Sequence, residues 1–250
     1  MQLIAEKLSL NRGNRLILND ISFTLTAGEA LVLTGPNGAG KTTLIRTIAG
    51  FLPLASGSVT LEGGAEDHDI GEQSHFVGHR DGIKGALTVE ENATFFARYL
   101  GSPELLPLPS GEGTGAGRIR GAEGQGNETT YQHPPPTPTP SPRRGGELSV
   151  QTTLERLGLA ALADVPAAWL SAGQRRRLGL SRLLVAKRPL WLLDEPTVSL
   201  DAAAVETLAR MISDHLASGG MTIAATHIPL GLTNPRELRL GSGRAVEANA

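Results

Sequence analysis

One short stretch constrains this chain more than any other. Gly35, Pro36, Asn37, Gly38, Ala39, Gly40, Lys41 and Thr42 fill G-x-x-x-x-G-K-[ST] at every position, and Thr43 follows. The glycines let successive backbone N–H groups turn inward and surround an anion. A helix starting at the end of the loop would point its positive end at the same place. The flanks agree. Ala30–Thr34 is a short apolar run that reads as a strand. Residues 42–50 read as a helix with Leu44, Ile45, Ile48 and Ala49 on one side. Strand, glycine loop, helix is the context a phosphate loop requires. Within it Lys41 reaches β and γ phosphates as a point charge, and the Thr42 hydroxyl suits a magnesium ligand. A structural glycine turn would need neither the lysine nor the flanking pattern.

Three further constellations follow the loop along the chain. Leu190-Trp-Leu-Leu193 reads as a buried strand that delivers Asp194 and Glu195 to its end. There Asp194 is placed to hold a magnesium shell, and Glu195 to orient or deprotonate a water. Alone, two carboxylates after an apolar strand are an ordinary solvated strand end; the phosphate loop upstream makes that reading improbable. Leu170, Ser171, Ala172, Gly173 and Gln174 open a helix read over 171–186, with Ser171 as its cap and an oxyanion contact. The plain alternative is a capped helix and nothing more. Arg175–Arg177 reads as a solvated face and receives no catalytic role. Thr226-His227 ends the strand Met221–Ala225. A lone histidine at a strand end is more often structural, but its position after the acidic strand suits contact with a γ-phosphate and sensing of its loss.

The rest of the chain supports an α/β reading. Strands are expected at 3–10, 16–18 and 21–25, and an edge strand at 238–240. Helices are expected at 88–101, 150–164 and 202–217. The first carries a capping box of Thr88 and Glu91 and an apolar face of Phe95, Phe96 and Leu100. Strands alternating with helices predict a mainly parallel sheet. A net charge of −2 argues against a general grip on nucleic acid. The absence of cysteine excludes disulfides, thiol nucleophiles and cysteine-ligated metals. No signal peptide is evident, and no run approaches the roughly 18 apolar residues of a membrane-spanning helix. A membrane role would therefore come through a partner.

Taken in this order, the motifs resemble the nucleotide-binding subunit of ATP-binding cassette (ABC) transporters. The resemblance implies a P-loop NTPase core with a mainly parallel sheet, an antiparallel β edge and a helical subdomain at about 88–186, all in one domain over 1–250. It implies ATP and Mg2+ as cofactors, with Thr42 and Asp194 on the metal and Lys41, Glu195 and His227 catalytic. Leu170–Gln174 would complete the site of a second copy, so hydrolysis implies a homodimer. Ser199, Leu200 and Asp201 match the loop that communicates between the two sites.

A closer likeness lies in the segments Gly78–Asn92, Ala224–Gly231 and Arg236–Gly241, which resemble the CcmA family, the ATP-binding subunit of the cytochrome c biogenesis haem exporter. That implies a peripheral protein on the cytoplasmic face of the bacterial inner membrane, integral membrane permease partners, a role in haem delivery and no nucleic-acid partner. Three positions depart from the wider family. His79-Arg80 stands where a glutamine is usual, and Gln73 comes too early. Asn11, Arg12 and Arg15 stand near the first strands where an aromatic usually stacks on adenine. Ala172 replaces a glycine of the signature. The competing readings are a soluble cassette acting on nucleic acid or ribosomes, a cassette for another membrane substrate, a non-hydrolytic assembly module and, more distantly, a P-loop kinase.

One segment fits none of this. Residues from about Pro103 to Glu147 are rich in Pro, Gly, Ser and Thr, and 133–142 alone carries six prolines. Such a composition cannot bury enough apolar surface to offset its ordering entropy, which predicts a disordered insert within the helical subdomain. Loop-closure entropy grows slowly with length, so the rest of the fold tolerates it. Limited proteolysis is expected to cut between Pro103 and Glu147 first and to leave the remainder intact; a resistant segment contradicts the reading.

Overall fold

A computed structural model describes residues 1–13, 15–65, 67–100, 148–241 and 244–248; of Arg15 and 244–248 it describes the backbone alone. The predicted insert at 103–147 lies outside these residues. Two sheets organise the chain. The first is antiparallel, with β1 (Gln2–Arg12) at its centre between β2 (Arg15–Thr26) and β4 (Ser56–Glu62). The second has six strands in the order β5-β6-β7-β3-β8-β9. These are β5 (Ser74–Val77), β6 (Leu190–Asp194), β7 (Met221–Ala225), β3 (Ala30–Thr34), β8 (Arg236–Gly241) and β9 (Arg244–Ala248). All of its pairs are parallel except β8 with β9.

The central strands separate two apolar cores, and their period-2 alternation supplies both. In β6, Leu190 and Leu192 enter one core, while Trp191 and Leu193 enter the other. The first core is closed by α1 (Lys41–Ile48), through Leu44, Ile45 and Ile48, and by the antiparallel sheet. The second is closed by α6 (Ala202–Ala217), through Leu208, Met211 and Ile212, and by the helices α2 (Val89–Leu100), α3 (Val150–Arg156), α4 (Ala172–Leu180) and α5 (Arg182–Val185). Each fully buried leucine contributes on the order of 1.5–3 kcal/mol, so a polar residue anywhere in β6 is strongly disfavoured until the chain reaches Asp194.

Several local expectations are corrected. The helix read over 171–186 is two helices, because Ser181 is buried and turns its hydroxyl onto the Leu178 carbonyl at 2.7 Å. The helical pattern over 150–164 stops at Arg156; Gly158 takes φ 64° and only a short 3-10 turn, Ala160–Leu162, follows. Strand β8 is not an edge strand: β9, which has no apolar pattern to announce it, covers it. Strands β4 and β5 carry little signal in the sequence, the first because it opens Ser-Gly-Ser, the second because it spans only four residues. The capping box at Thr88 and Glu91 forms in both directions. The buried face of α2 is Val89, Asn92, Ala93 and Phe96, with Phe95 and Leu100 half-buried. Asn92 is accommodated because it bonds the main chain of Lys84, Leu87 and Thr88.

Two histidines are part of the packing. His75 bonds the Ala186 carbonyl at 2.8 Å, and His215 stacks on Trp191 with ring centroids 4.0 Å apart. Burial pushes His75 down to about 3 and His215 down to about 4, from the ordinary 6.5. The unfolded chain takes up these protons near the ordinary value, whereas the folded chain resists until far lower pH. The stability they permit is therefore complete above about pH 6.5 and is lost as pH falls from there toward 4 and 3. At about 1.4 kcal/mol per pH unit, each histidine should lower the unfolding free energy by roughly 2 kcal/mol at pH 5. Urea denaturation across this range checks it. His215→Phe keeps an aromatic ring against Trp191 and removes one titration, so its stability should fall by about 2 kcal/mol less over the same interval; identical pH dependence in the two proteins contradicts the assignment.

Candidate active site

Parallel strands end on the same side of their sheet, and the crevice at those ends is where open α/β sheets bind ligands. Here β5, β6, β7 and β3 are consecutive neighbours. Their carboxyl ends carry, in turn, Gly78–Asp81, Asp194-Glu195, Thr226-His227 and the loop Gly35–Gly40. These segments are far apart in the chain and meet at one cleft of about 540 Å3, lined by Asn37, Gly38, Gly40, Lys41, Thr42, Thr43, Glu195, His227, His79, Arg12 and Ile17.

The loop is shaped by its neighbours. Gly35 takes φ 128° with the Leu240 carbonyl of β8 against its Cα, so any Cβ would overlap that oxygen. Gly40 takes φ 104° at the N-cap of α1, backed by Ile17 and Leu18. Lys41 begins α1 and folds back over the loop. Its ammonium, on a residue only 7% exposed, donates to the carbonyls of Gly35 at 2.7 Å and Pro36 at 3.3 Å. No carboxylate pairs with it among the described residues. A buried cation held mainly by carbonyls, with no carboxylate partner among the described residues, is a site prepared for an anion.

Thr42 donates its hydroxyl to Asp194 Oδ1 at 2.9 Å. Asp194 is 1% exposed, and its second oxygen, Oδ2, has no hydrogen-bond partner among the described residues. A hydroxyl beside an orphaned carboxylate oxygen suits a hard cation. No cluster of three or more metal-ligating side chains occurs among the described residues, so phosphate and water oxygens would complete the shell, as Mg2+ prefers.

Glu195 leaves β6 with φ 49°, a left-handed conformation unusual outside glycine and commonest where function demands it. Its N–H donates to the Ala225 carbonyl of β7 at 2.8 Å. The carboxylate faces His227, with Oε1 3.4 Å from Nε2. That nitrogen also lies 3.3 Å from Lys41 Nζ and 3.0 Å from Asn37 Oδ1. A ring nitrogen offers one proton or one lone pair. It therefore donates toward Asn37 and Glu195 or accepts from Lys41, but not both at once.

Leu170–Gln174 does not line this cleft. Ser171 caps α4 and accepts from Gln174 N–H at 3.2 Å, while Gln174 Oε1 accepts from Ser171 N–H at 2.8 Å. Ala172 is exposed. Gly173 packs against the Ser199 carbonyl, which a Cβ would approach to 2.8 Å. Ser199 has φ 66°, Leu200 packs on the second core, and Asp201 caps α6 by accepting from Ala204 N–H at 2.8 Å. The signature and the loop 199–201 thus form one surface, away from the cleft of their own chain.

At the rim, His79 faces the cleft from the end of β5. Gln73 faces inward and bonds the main chain of Ala65 and His68. Of the three residues considered for adenine, Arg12 lines the cleft beside Ile17, Asn11 does not, and the side chain of Arg15 is outside the described residues. One residue is corrected outright. Arg176, read as part of a solvated face, is 4% exposed and bonds the carbonyls of Glu195, Pro196 and Gly78 and the carboxylate of Asp81. Consecutive helical residues point about 100° apart, so three in a row on a packed helix cannot all face solvent. That was the available signal.

Comparison with known proteins settles the family. The ABC transporter family profile matches residues 18–198. The cytochrome c biogenesis ATP-binding export protein CcmA of Rhodopseudomonas palustris strain BisB5 is 43% identical over 231 residues, 92% of this chain and 94% of the relative. The protein of that name from Rhizobium meliloti is 43% identical over 241 residues, covering 96% and 98%. The chain belongs to the ABC transporter family of ATPases, with the CcmA proteins. Solved structures agree on the fold. An ATP-binding subunit of an ABC transporter superposes with a TM-score of 0.73 at 20% identity, covering all of this chain and 90% of that one. A cassette in its ADP conformation gives 0.68, also at 20% identity, covering 100% and 92%.

For an ABC ATPase with this loop, Lys41→Met should weaken ATP binding at least about tenfold, because one charge-assisted phosphate contact is lost. Its thermal midpoint should stay level or rise, since a buried ammonium without an ion partner opposes folding. Calorimetric titration and thermal unfolding check both; parental affinity in the variant contradicts the site.

Proposed function

We propose that this chain is the ATP-hydrolysing subunit of a membrane export complex that serves cytochrome c maturation, powering haem export or haem-chaperone release. The sequence identity to CcmA proteins, which runs over nearly the full length of both partners, supports the assignment to that system. The observation that carries the chemistry is the convergence of Lys41, Thr42 and Glu195 on one cleft, with Asp194 bonded to Thr42 and its Oδ2 buried and without a partner among the described residues.

In the proposed cycle, the amides of Gly35–Thr43 receive the phosphates of ATP. The Lys41 ammonium exchanges the Gly35 and Pro36 carbonyls for phosphate oxygens. Thr42 and Asp194 would hold Mg2+, which when bound neutralises charge on the β and γ phosphates. Glu195, on its left-handed turn, holds a water in line with the γ-phosphorus and accepts its proton. His227 then donates toward the γ-phosphate and reports its departure. Phosphoryl transfer asks mainly for positioning and charge neutralisation, and these groups supply both.

Ser171 and its neighbours lie outside their own cleft, so in this reading they close the cleft of a second copy, and the active form is a homodimer. No helix among the described residues is long and apolar enough to cross a membrane. In this reading, which rests on the likeness to CcmA export proteins, the chain docks peripherally on the cytoplasmic face of the inner membrane against integral permease subunits.

Glu195→Gln tests the enzymatic part. It should retain ATP and lower turnover by about 100-fold or more, since a general base contributes on that scale. ATP should also hold this variant as a dimer in size-exclusion chromatography. Hydrolysis at the parental rate removes Glu195 from its role. Co-purification from membranes tests the assignment: an integral partner of the cytochrome c maturation system is expected, and a permease for an unrelated substrate contradicts it.

A further inference from the structure

The Glu195 backbone is strained and the mechanism needs its carboxylate fixed, so what holds it matters. One end of the residue is tied to β7 through its N–H. The other end, its carbonyl, accepts from Arg176 Nη2 at 2.9 Å. The same guanidinium donates from Nε to the Pro196 carbonyl at 3.2 Å, and from Nη1 to the Gly78 carbonyl at 2.7 Å and Asp81 Oδ1 at 2.6 Å. Three chain segments therefore meet on one planar group: α4, the turn after β6 and the loop after β5. The side chains of Arg176 and Asp81 are 5% and 16% exposed, so the network is screened little by water. Asp81 is itself fixed, because Arg182 donates to its carbonyl and Gly179 leaves room for nothing larger beside it. The two segments that Arg176 joins each send one side chain into the cleft, Glu195 from the first and His79 from the second.

We propose that Arg176 is a positioning residue for ATP hydrolysis, one that locks the left-handed peptide of Glu195 to the Gly78–Asp81 segment so that the Glu195 carboxylate and His79 face the same point of the cleft. The proposal rests on the reading of Glu195 as the group that activates water. Arg176 touches neither nucleotide nor water and acts only through what it holds. A rigid fork with donors in fixed directions does this; a lysine, with one ammonium on a flexible stem, cannot span the same carbonyls.

The test uses the full chain with ATP and Mg2+, comparing Arg176→Gln and Arg176→Lys with the parent. Both variants should lose about 10- to 100-fold in kcat, the scale set by small misplacement of a reacting group. KM and the dissociation constant for ATP should stay within about twofold, because the phosphate loop is untouched. In a Glu195→Gln background either substitution should produce no further loss, since the residue acts through that carboxylate. A kcat equal to the parent's, an equal loss in the Glu195→Gln background, or a rise in KM that matches the fall in kcat overturns the proposal. If Arg176→Gln leaves too many buried carbonyls unpaired to fold, Arg176→Lys keeps the charge and carries the test alone. Failure of the underlying reading looks different. A parent that does not hydrolyse ATP, or a Glu195→Gln variant that hydrolyses at the parental rate, removes the role of Glu195. A normal parent and a silent Glu195→Gln beside fully active Arg176 variants remove only the clamp.

Discussion

A single ammonium sets the terms for the rest of the site. Lys41 is almost fully buried, and two main-chain carbonyls are its principal hold. Removing a cation from water without a counter-charge is costly, and the arrangement makes sense only if an anion regularly takes the place of those carbonyls. The loop must then curl tightly enough to present N–H groups and carbonyls to the same small volume. Gly35 and Gly40 permit this through backbone conformations that side chains resist, one pressed on β8 and the other on β2. The anion site is thus tied directly to the packing of both sheets.

The sheet order places the chemistry around that site. β3, which leads into the loop, lies between β7 and β8, and β6 lies beyond β7. The residues at the strand ends consequently stand in a row: loop, His227, Asp194 and Glu195, then His79. Each comes from a strand buried on both faces, and this rigidity fixes the positions of side chains at the ends. The left-handed conformation of Glu195 belongs to the same design. Its carboxylate reaches the cleft because β7 and Arg176 hold the main chain on either side.

A different surface carries Ser171, Gly173 and Ser199. Gly173 packs on the Ser199 carbonyl, so the N-terminus of α4 and the start of the loop 199–201 present themselves together. Neither faces the cleft of its own chain. In the proposed homodimer, the part that binds the triphosphate and the part that would close over it are therefore separate surfaces of one chain.

Much of the site was legible in the chain itself. The phosphate loop is local, so its glycines, lysine and threonine declare both geometry and chemistry in adjacent positions. The apolar run before Asp194 announces a strand buried on two faces, and Ser171 with Gln174 announces a helix cap. Burial shows in sequence only where many side chains share a pattern. Strand β9 and the Ser-Gly-Ser start of β4 lack one, and the break at Ser181 depends on a single hydroxyl. Arg176 escaped for the same reason: three arginines look alike in a row, and packing alone selects which one turns inward. The sequence by itself determined the anion cradle, the acidic strand end and the family they belong to, because each is written in contiguous residues. Only the tertiary structure decided that His79 lines the cleft and that Arg176 holds Glu195, because the contacts of Arg176 span about 20 to 100 residues of chain and such neighbours meet only once the strands are ordered side by side.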